Sequence, residues 1–283
     1  MSGVVAAAIV AHVPTMGVAE KTPEFQKTLV EAEKTIGRLL RERLRPDLWV
    51  IASAHWVATF DWLVTAQPLH EGHCVADEAP NLIPGIAYRY RGDPTFADTL
   101  VAELAAAGVP SVANTSSRYE WDYGTWVPLS HLDPAAEVPV VGLPTVLMSD
   151  HAECLKAGEA VHAAAKKLGR RAVFLASTAM SHVLVRGRHL LPTPERVAAD
   201  RRFVEALEAG AIDATIAGFG EYSNFTGAEM GGRTLATFLG VARSIARERG
   251  ALAGHRYGDY GQSSGSYNAV VAVADPPTMA RLN

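Results

Sequence analysis

Short apolar runs alternate along this chain with longer segments of helical periodicity, and this alternation constrains the fold most. Residues 4–11, 48–53 and 172–176 have the length and composition of buried strands. Between such runs lie segments with helical spacing, among them residues 22–43, in which apolar side chains recur on one side. This pattern is typical of an α/β fold, in which helices flank a central sheet, and it is compatible with a mixed sheet.

The rest of the chain extends the same pattern. Further strands are predicted at residues 62–65, 139–143 and 269–274, and further helices at residues 94–107, 152–168, 193–209 and 227–249. We find no repeat of fixed period, no low-complexity tract and no linker. We therefore expect residues 1–283 to form one domain, with any ligand site at the carboxyl ends of the strands, as in open α/β sheets.

Charge, cysteine content and hydropathy exclude several classes of function. The net charge of −4 argues against a nucleic-acid partner, because phosphate binding needs a clustered basic surface. Cys74 and Cys154 form no CxxC pair, which argues against a disulfide scaffold and a cysteine metal site. No stretch approaches the roughly 20 apolar residues of a membrane span, and the N-terminus has no pattern of a secretion signal. We expect a cytoplasmic protein with no membrane partner.

Three histidines follow predicted strands. His12 comes just after the first strand, His55 just after the second, and His182 soon after the strand at residues 172–176. A lone histidine after a strand is usually a hydrogen-bonded structural residue. Three of them, each expected at the same sheet edge, favour a shared site.

Glu229 is a candidate to complete this site. It lies at the start of the helical pattern of residues 227–249, where the helix dipole alone would favour an acid. Two neutral imidazoles and a carboxylate can bind a divalent metal on one face and leave open positions opposite. That arrangement suits Fe(II) enzymes, although a similar donor set also serves Zn²⁺ in hydrolases.

The order of several short motifs resembles a known family, the class III extradiol dioxygenases, and spans nearly the whole chain. The likeness is strongest to the branch of homoprotocatechuate 2,3-dioxygenases and 2-aminophenol 1,6-dioxygenases. The motifs that carry it are His12-Val13-Pro14, His55-Trp56, His70-Glu71-Gly72, Glu78-Ala79-Pro80, Asp122-Tyr123-Gly124-Thr125, Val127-Pro128, Ser181-His182, Glu229 with Gly240, Ser263-Ser264-Gly265 and Asn268-Ala269-Val270.

The resemblance implies a role for each main candidate. It implies that His12, His55 and Glu229 bind Fe(II), and that His182 is an acid/base residue whose ordinary pKa suits both roles. Several family members carry histidine where this chain has Tyr123. A phenol at that position can donate a hydrogen bond to substrate or oxygen but is a poor base at neutral pH.

Other residues are weaker candidates for contact with substrate. Trp56 follows a proposed ligand and is either a wall of the pocket or a core residue. Ser263 and Ser264 belong to a polar turn that is either ordinary or in contact with a substrate substituent. Arg256 is a candidate partner for a substrate carboxylate.

The resemblance implies an activity with an aromatic small molecule and O2 as reactants. We expect ring opening of an ortho-hydroxylated aromatic ring, with a catecholic acid such as homoprotocatechuate favoured over 2-aminophenol or 3-hydroxy-4-pyridone. A metal-poor interaction protein of the same fold is the alternative from another class, and it predicts loss of at least one of the four main site residues, all of which are present. We also expect a homo-oligomer, most simply a dimer with closed symmetry.

Overall fold

Alternating short and long elements build the protein, which we describe from a computed structural model that covers residues 2–283. The described residues form ten strands: β1 (Gly3–Val10), β2 (Leu48–Ala58), β3 (Trp62–Thr65), β4 (Leu69–Val75), β5 (Pro84–Arg91), β6 (Ser111–Asn114), β7 (Val140–Val146), β8 (Arg171–Ser177), β9 (Ala253–Ser263) and β10 (Ser266–Ala274).

The helices of the described residues are α1 (Glu24–Leu39), α2 (Pro94–Ala106), α3 (Tyr123–Leu132), α4 (His151–Lys167), α5 (Pro194–Glu208), α6 (Ile212–Thr226), α7 (Arg233–Arg249) and α8 (Pro276–Met279). Side chains that accept a hydrogen bond from the first turn explain where several of them begin; these caps are Asp93, Asp122, Asp150, Thr193 and Asp275. None of the helices in residues 2–283 is long and apolar enough to cross a membrane.

The central sheet has six strands in the order β7-β2-β8-β1-β10-β9. The four strands from β7 to β1 are parallel, whereas β10 runs antiparallel to β1 and β9 antiparallel to β10. The sheet is therefore mixed. Two small sheets, β3-β6 and β4-β5, lie outside it.

Helices cover both faces of the central sheet, which explains why β1 is buried along its whole length. On one face Val4, Ala7 and Ile9 pack in a core that also contains side chains of α2, α4, α5, α6 and α7. On the other face Ala8 and Val10 pack in a second core with α1, α3 and the β4-β5 hairpin. The predicted α/β fold is confirmed.

Candidate metal centre

Parallel strands bring the candidate histidines to one edge of the central sheet. His12 lies two residues beyond β1, and His182 lies in the segment that follows β8. Because β1 and β2 both pair in parallel with β8, their carboxyl ends meet at that edge. As predicted, strands β1, β2 and β8 bring the three histidines to the same edge of the sheet.

His55 differs from expectation, because it lies inside β2 and not after it. The pairing of β2 with β7 shifts register between Ala52 and Val57, and His55 sits within this irregularity. The segment is held by Ser53, whose hydroxyl accepts from the backbone nitrogen of His55 at 3.1 Å and donates to Asp122 at 2.6 Å. An irregularity of this kind re-aims a side chain, and here it turns the imidazole into the site.

Glu229 reaches the site from a glycine-rich turn and not from the first turn of a helix. The φ angles of Gly231 and Gly232 are 66° and 75°, in the left-handed region that glycine adopts without strain. Residues 229–232 therefore form a separate turn, and α7 begins only at Arg233, so the prediction of one helix over residues 227–249 is wrong at its start. The backbone nitrogen of Glu229 donates to the carbonyl of Met180 at 3.2 Å, which fixes the turn.

The segment after β8 holds one oxygen of the Glu229 carboxylate. Oε2 accepts a hydrogen bond from the backbone nitrogen of Ala179 at 2.7 Å and from the Thr178 hydroxyl at 3.2 Å. Glu229 is only 3% exposed, so these bonds compensate part of its lost hydration. They also leave the second oxygen, Oε1, directed at the histidines.

Three imidazoles converge on that second oxygen. The Nε2 atoms of His12, His55 and His182 lie 3.3, 3.4 and 3.2 Å from Oε1 of Glu229. His12 is buried, whereas the side chains of His55 and His182 are 26% and 27% exposed and face a cavity. The four residues form one cluster that is closed on the protein side and open on the other.

The mutual contacts set the protonation states. Burial alone would raise the pKa of Glu229, but the neighbouring imidazoles outweigh it and hold that pKa well below its usual value. Burial lowers the pKa of His55, yet the hydrogen bond and charge of Glu229 leave it raised. For His182 burial dominates and lowers the pKa, which keeps this imidazole neutral at pH 7.

Ser177, the last residue of β8, fixes the tautomer of His12. Its hydroxyl donates to the carbonyl oxygen of Gly124 at 2.5 Å, so its proton is used. The 3.1 Å contact between Ser177 Oγ and His12 Nδ1 therefore has the imidazole as donor. In the metal-loaded protein Nε2 of His12 would then present its lone pair to the ion, which is the state a metal ligand needs.

Tyr123, the first residue of α3, places its hydroxyl beside this cluster. The hydroxyl lies 2.7 Å from Nε2 of His55 and donates to Oε1 of Glu78 at 2.6 Å. Burial, followed by the hydrogen bond and charge of Glu78, raises the pKa of Tyr123 far above its usual value. Tyr123 is therefore a neutral phenol. Its hydroxyl donates its hydrogen bond to Glu78, and not to a substrate or oxygen as the sequence led us to expect.

Two cavities open next to the cluster. One, of about 170 Å³, is lined by the three histidines, Glu229, Tyr123 and the serines of the β9-β10 turn. The other, of about 300 Å³, shares His55 and Tyr123 with the first and extends toward Glu78. Together they have the scale of a small-molecule site.

The weaker candidates divide into two groups. Ser263 and Ser264 line the first cavity. Ser264 and Gly265 form the two-residue turn between β9 and β10, with φ angles of 51° and 85°. Trp56 instead packs on Tyr119, with ring centroids 4.5 Å apart, and does not line either cavity.

Arg256 also lines neither cavity. Its guanidinium donates to the carbonyl of Gly258, lies 3.7 Å from the carboxylate of Asp259 and packs over the ring of Tyr260. The candidate partner for a substrate carboxylate is thus engaged elsewhere.

The donor set fits a divalent metal ion. One ligand atom each from His12, His55 and Glu229 lies within 4.8 Å of the other two, and these atoms face a common space. Two imidazole nitrogens and one carboxylate oxygen are the set found in non-haem Fe(II) sites with open positions. A cation would also compensate the buried charge of Glu229.

Sequence reasoning assigned no role to Ser177 or Glu78. A polar residue at the end of the apolar run of residues 172–176 was a signal for Ser177. Glu78 was noted only as part of a motif, because its distance in sequence from Tyr123 hides their contact.

Comparison with known proteins shows several curated relatives that match part of the chain, and two of them are described here. It is 25% identical over 180 residues to 3,4-dihydroxyphenylacetate 2,3-dioxygenase of Escherichia coli, which covers 62% of this chain and 65% of that protein. It is 29% identical over 148 residues to the β subunit of 2-aminophenol 1,6-dioxygenase of Pseudomonas sp, which covers 50% of this chain and 48% of that protein. The matches thus span 65% and 48% of these relatives' own length.

A solved structure and a family model cover more of the chain. The crystal structure of an uncharacterized protein from Escherichia coli K12 superposes with a TM-score of 0.66 at 21% identity, over 95% of this chain and 99% of that one, which supports the fold. The model of the catalytic LigB subunit of aromatic ring-opening dioxygenases matches residues 6–264. The chain therefore belongs to this family of catalytic LigB subunits of aromatic ring-opening dioxygenases.

Proposed function

We propose that this chain is an Fe(II)-dependent extradiol dioxygenase, which inserts both atoms of O2 into an ortho-hydroxylated aromatic ring and opens it. The observation that carries the proposal is the cluster of ligand atoms of His12, His55 and Glu229 within 4.8 Å of one another beside a cavity. Membership of the ring-opening family supports the reaction class. We further propose that residues 1–283 form a single catalytic domain.

The proposed ligands are His12, His55 and Glu229. Bound there, Fe(II) would supply positive charge that lowers the pKa of a substrate hydroxyl, together with the one-electron chemistry that O2 requires. The chain's own contribution is to hold the donor atoms on one face. Ser177 fixes the tautomer of His12, Ser53 fixes the backbone of His55, and the segment after β8 fixes Glu229.

His182 is the proposed acid/base residue. It lines the cavity, and its Nε2 lies 3.2 Å from Oε1 of Glu229, next to the proposed ligands. Because burial lowers its pKa, the imidazole is neutral at pH 7, so it can accept the proton of a substrate hydroxyl and return it later in the reaction. Its backbone nitrogen donates to the carbonyl of Gly227 at 3.2 Å, which holds the residue in place. Tyr123, a neutral phenol that lines the same cavity, is the second proposed catalytic residue.

The relatives' names suggest which ring to test first. One is named for 3,4-dihydroxyphenylacetate, which is homoprotocatechuate, and the other for 2-aminophenol. Both molecules carry two adjacent heteroatoms, as the proposed chemistry requires. On these names a catecholic acid such as homoprotocatechuate is the leading substrate, and a nitrogen-containing ring is the alternative.

We also propose that the chain forms a homo-oligomer, most simply a symmetric dimer. The β-subunit name of one relative belongs to a protein that assembles with other chains, which is consistent with an oligomer here. Gel filtration at micromolar concentration should give an apparent mass of at least two chains. A stable monomer would contradict this part of the proposal.

The experiment that tests the function is O2 uptake by protein reconstituted anaerobically with Fe(II). The panel contains homoprotocatechuate, protocatechuate, 2-aminophenol and 3-hydroxy-4-pyridone, and Zn²⁺-loaded protein serves as the control. We expect uptake in a one-to-one ratio with one of the four, and none with Zn²⁺. Full iron loading without uptake on any of them would contradict the proposal and favour an interaction protein.

A further inference from the structure

Glu78 is an acidic side chain fixed at the junction of the two cavities. It lies in the loop between β4 and β5, and its side chain is 55% exposed. The hydroxyl of Tyr123 holds it by donating to Oε1 at 2.6 Å. The same oxygen lies 3.5 Å from Nδ1 of His55. A surface glutamate normally moves freely, but this one is tied to a proposed ligand and to a cavity wall.

The bond also determines what Tyr123 offers to a bound molecule. A phenol has one proton, and a carboxylate can only accept, so the proton of Tyr123 is committed to Glu78. An imidazole nitrogen that binds a metal has no proton to give, so His55 would no longer donate to Tyr123 in the loaded protein. The Tyr123 oxygen then presents lone pairs to the cavity, and a substrate group beside it must be a hydrogen-bond donor.

Among the residues that the structure describes, Glu78 has no lysine or arginine partner in the cavities, and its basic neighbour there is the imidazole of His55, at 3.5 Å. Among the described residues that line the two cavities, none is lysine or arginine. The second cavity is also lined by the carboxylates of Asp77, Glu120 and Asp122 and by the imidazole of His73, so acidic side chains predominate there. Arg256, the candidate cation, is engaged with Gly258 and Tyr260. A carboxylate on the substrate would therefore face negative charge without a partner, at a cost in binding.

We propose, resting on the function proposed above, that Glu78 is a specificity-determining residue that selects aromatic rings bearing an amine or a neutral donor group over rings bearing a carboxylate. The juxtaposition of Glu78 with Tyr123 and His55 at the junction of the cavities carries this proposal. It assigns the second cavity to the substituent of the ring. It also changes the order of substrates that the relatives' names suggest, because it predicts that a catechol with an amine of similar size binds more tightly than homoprotocatechuate.

The test uses three catechols that differ only at the end of a short side chain. They are 3,4-dihydroxyphenethylamine with an ammonium group, 4-ethylcatechol with no charge, and homoprotocatechuate with a carboxylate. Dissociation constants are measured by calorimetry on the Fe(II)-loaded protein without O2, and kcat/KM is measured by O2 uptake. Both are repeated for Glu78→Gln and for Glu71→Gln, at equal iron content.

Glu71→Gln is the matched control. It removes the same charge from the same hairpin, but Glu71 pairs with Arg89 on the surface and lines neither of the two cavities. We expect the wild type and this control to bind the amine more tightly than the acid. In Glu78→Gln the ratio of the two dissociation constants should fall about tenfold, because one attraction and one repulsion are lost together. Affinity for 4-ethylcatechol should change little.

The outcomes separate this inference from the function on which it rests. Wild-type protein that binds the acid as tightly as the amine, or binds neither, overturns the inference, and so does a ratio that Glu78→Gln leaves unchanged. Absence of O2 uptake with all three catechols contradicts ring opening of catechols instead. The dissociation constants decide the role of Glu78 in that case as well.

Discussion

At the scale of single residues, the site depends on a buried carboxylate whose charge is compensated by imidazoles. Oε1 of Glu229 lies within 3.4 Å of three Nε2 atoms, while Oε2 is held by Ala179 and Thr178. These contacts stabilise the charge of Glu229 inside the protein and hold its pKa well below the usual value. The same arrangement fixes the donor atoms before any metal arrives.

Removal of a single proposed ligand should abolish iron retention. We expect His12→Ala, His55→Ala and Glu229→Ala to lose iron on desalting after anaerobic Fe(II) loading, because two remaining donors cannot hold the ion. His182→Phe is the matched variant, and it should keep one iron per chain but lose ring opening. Iron per chain is measured by elemental analysis, with circular dichroism to check folding. An alanine variant that keeps its full iron would remove that residue from the ligand set.

Ser177 should influence metal affinity without touching the metal. In Ser177→Ala the Nδ1 proton of His12 loses its acceptor, so the imidazole is free to change tautomer and orientation. We expect Fe(II) affinity to fall by about 10- to 100-fold, the usual effect of removing such a partner. Ser244→Ala is the control, since that hydroxyl donates to a carbonyl within α7. Competition with a chelator measures the Fe(II) affinity of both variants. An affinity of Ser177→Ala equal to that of Ser244→Ala would contradict the role assigned to Ser177.

At the scale of elements, α4 and α7 approach closely at two glycines. A Cβ atom on Gly240 would meet the backbone of Leu155, and one on Gly158 would meet the backbone of Thr237. In the sequence, Gly240 stood out only because its spacing from Glu229 resembles the family pattern. Its close contact with Leu155 explains why a glycine is needed at this position. The glycines allow α7 to lie against α4, which positions the turn that carries Glu229.

Gly240→Ala should therefore destabilise the protein by about 1–3 kcal/mol, the usual cost of overpacking. Gly218→Ala on α6 is the matched control, since nothing lies within 4 Å of a Cβ at that position. There alanine should be neutral or stabilise by about 0.5–1 kcal/mol, because glycine is the poorer helix former. The free energy of unfolding in urea measures both. An equal change in the free energy of unfolding in the two variants would contradict the close contact between α4 and α7.

The contact of α5 and α6 predicts a pH dependence. Asp200 on α5 is fully buried and accepts from the backbone nitrogen of Ser181 at 3.2 Å and from the Tyr222 hydroxyl at 2.9 Å. Burial raises its pKa from 3.8 to about 6. The folded protein thus binds this proton more tightly than the unfolded chain. The stabilisation from this group is complete below about pH 4 and is lost as the pH rises through about 6.

Replacing Asp200 by asparagine should remove this dependence. Relative to the wild type, Asp200→Asn should gain up to about 3 kcal/mol in the free energy of unfolding between about pH 4 and pH 7. Asp98→Asn, at an exposed position of α2, should show no such trend. Chemical denaturation at several pH values gives the free energy of unfolding of each variant relative to the wild type. A difference between wild type and Asp200→Asn that does not vary with pH would contradict the assignment.

Sequence patterns predicted five of the six strands of the central sheet and most of the longer helices, but they missed β4, β5, β6, β9, α3 and α6. The strands at residues 62–65 and 172–176 and the helix at residues 94–107 lie within a residue or two of β3, β8 and α2. Strand β9 was missed because Gly254, Gly258 and Gly261 interrupt its pattern. A Cβ at Gly261 would meet the side chain of Leu29 on α1, so the glycine reflects packing that a local pattern does not contain.

At the scale of the whole molecule, the convergence of the site was predictable but its details were not. Parallel strands deliver residues to a common edge, so three histidines after strands predicted a shared site. The irregularity at His55 and the contact of Glu78 with Tyr123 arise from residues far apart in sequence. These long-range contacts decide which atoms face the cavity, and only the assembled fold contains them.

The central claim is that the chain inserts both atoms of O2 into an aromatic ring. The measurement that tests it most directly is mass spectrometry of the product formed by Fe(II)-loaded protein under ¹⁸O2, with the best substrate of the panel. We predict a ring-opened product that contains two labelled oxygen atoms, allowing for exchange of an aldehyde oxygen with water. An intact ring, or a product whose new oxygen comes only from water, would contradict the claim.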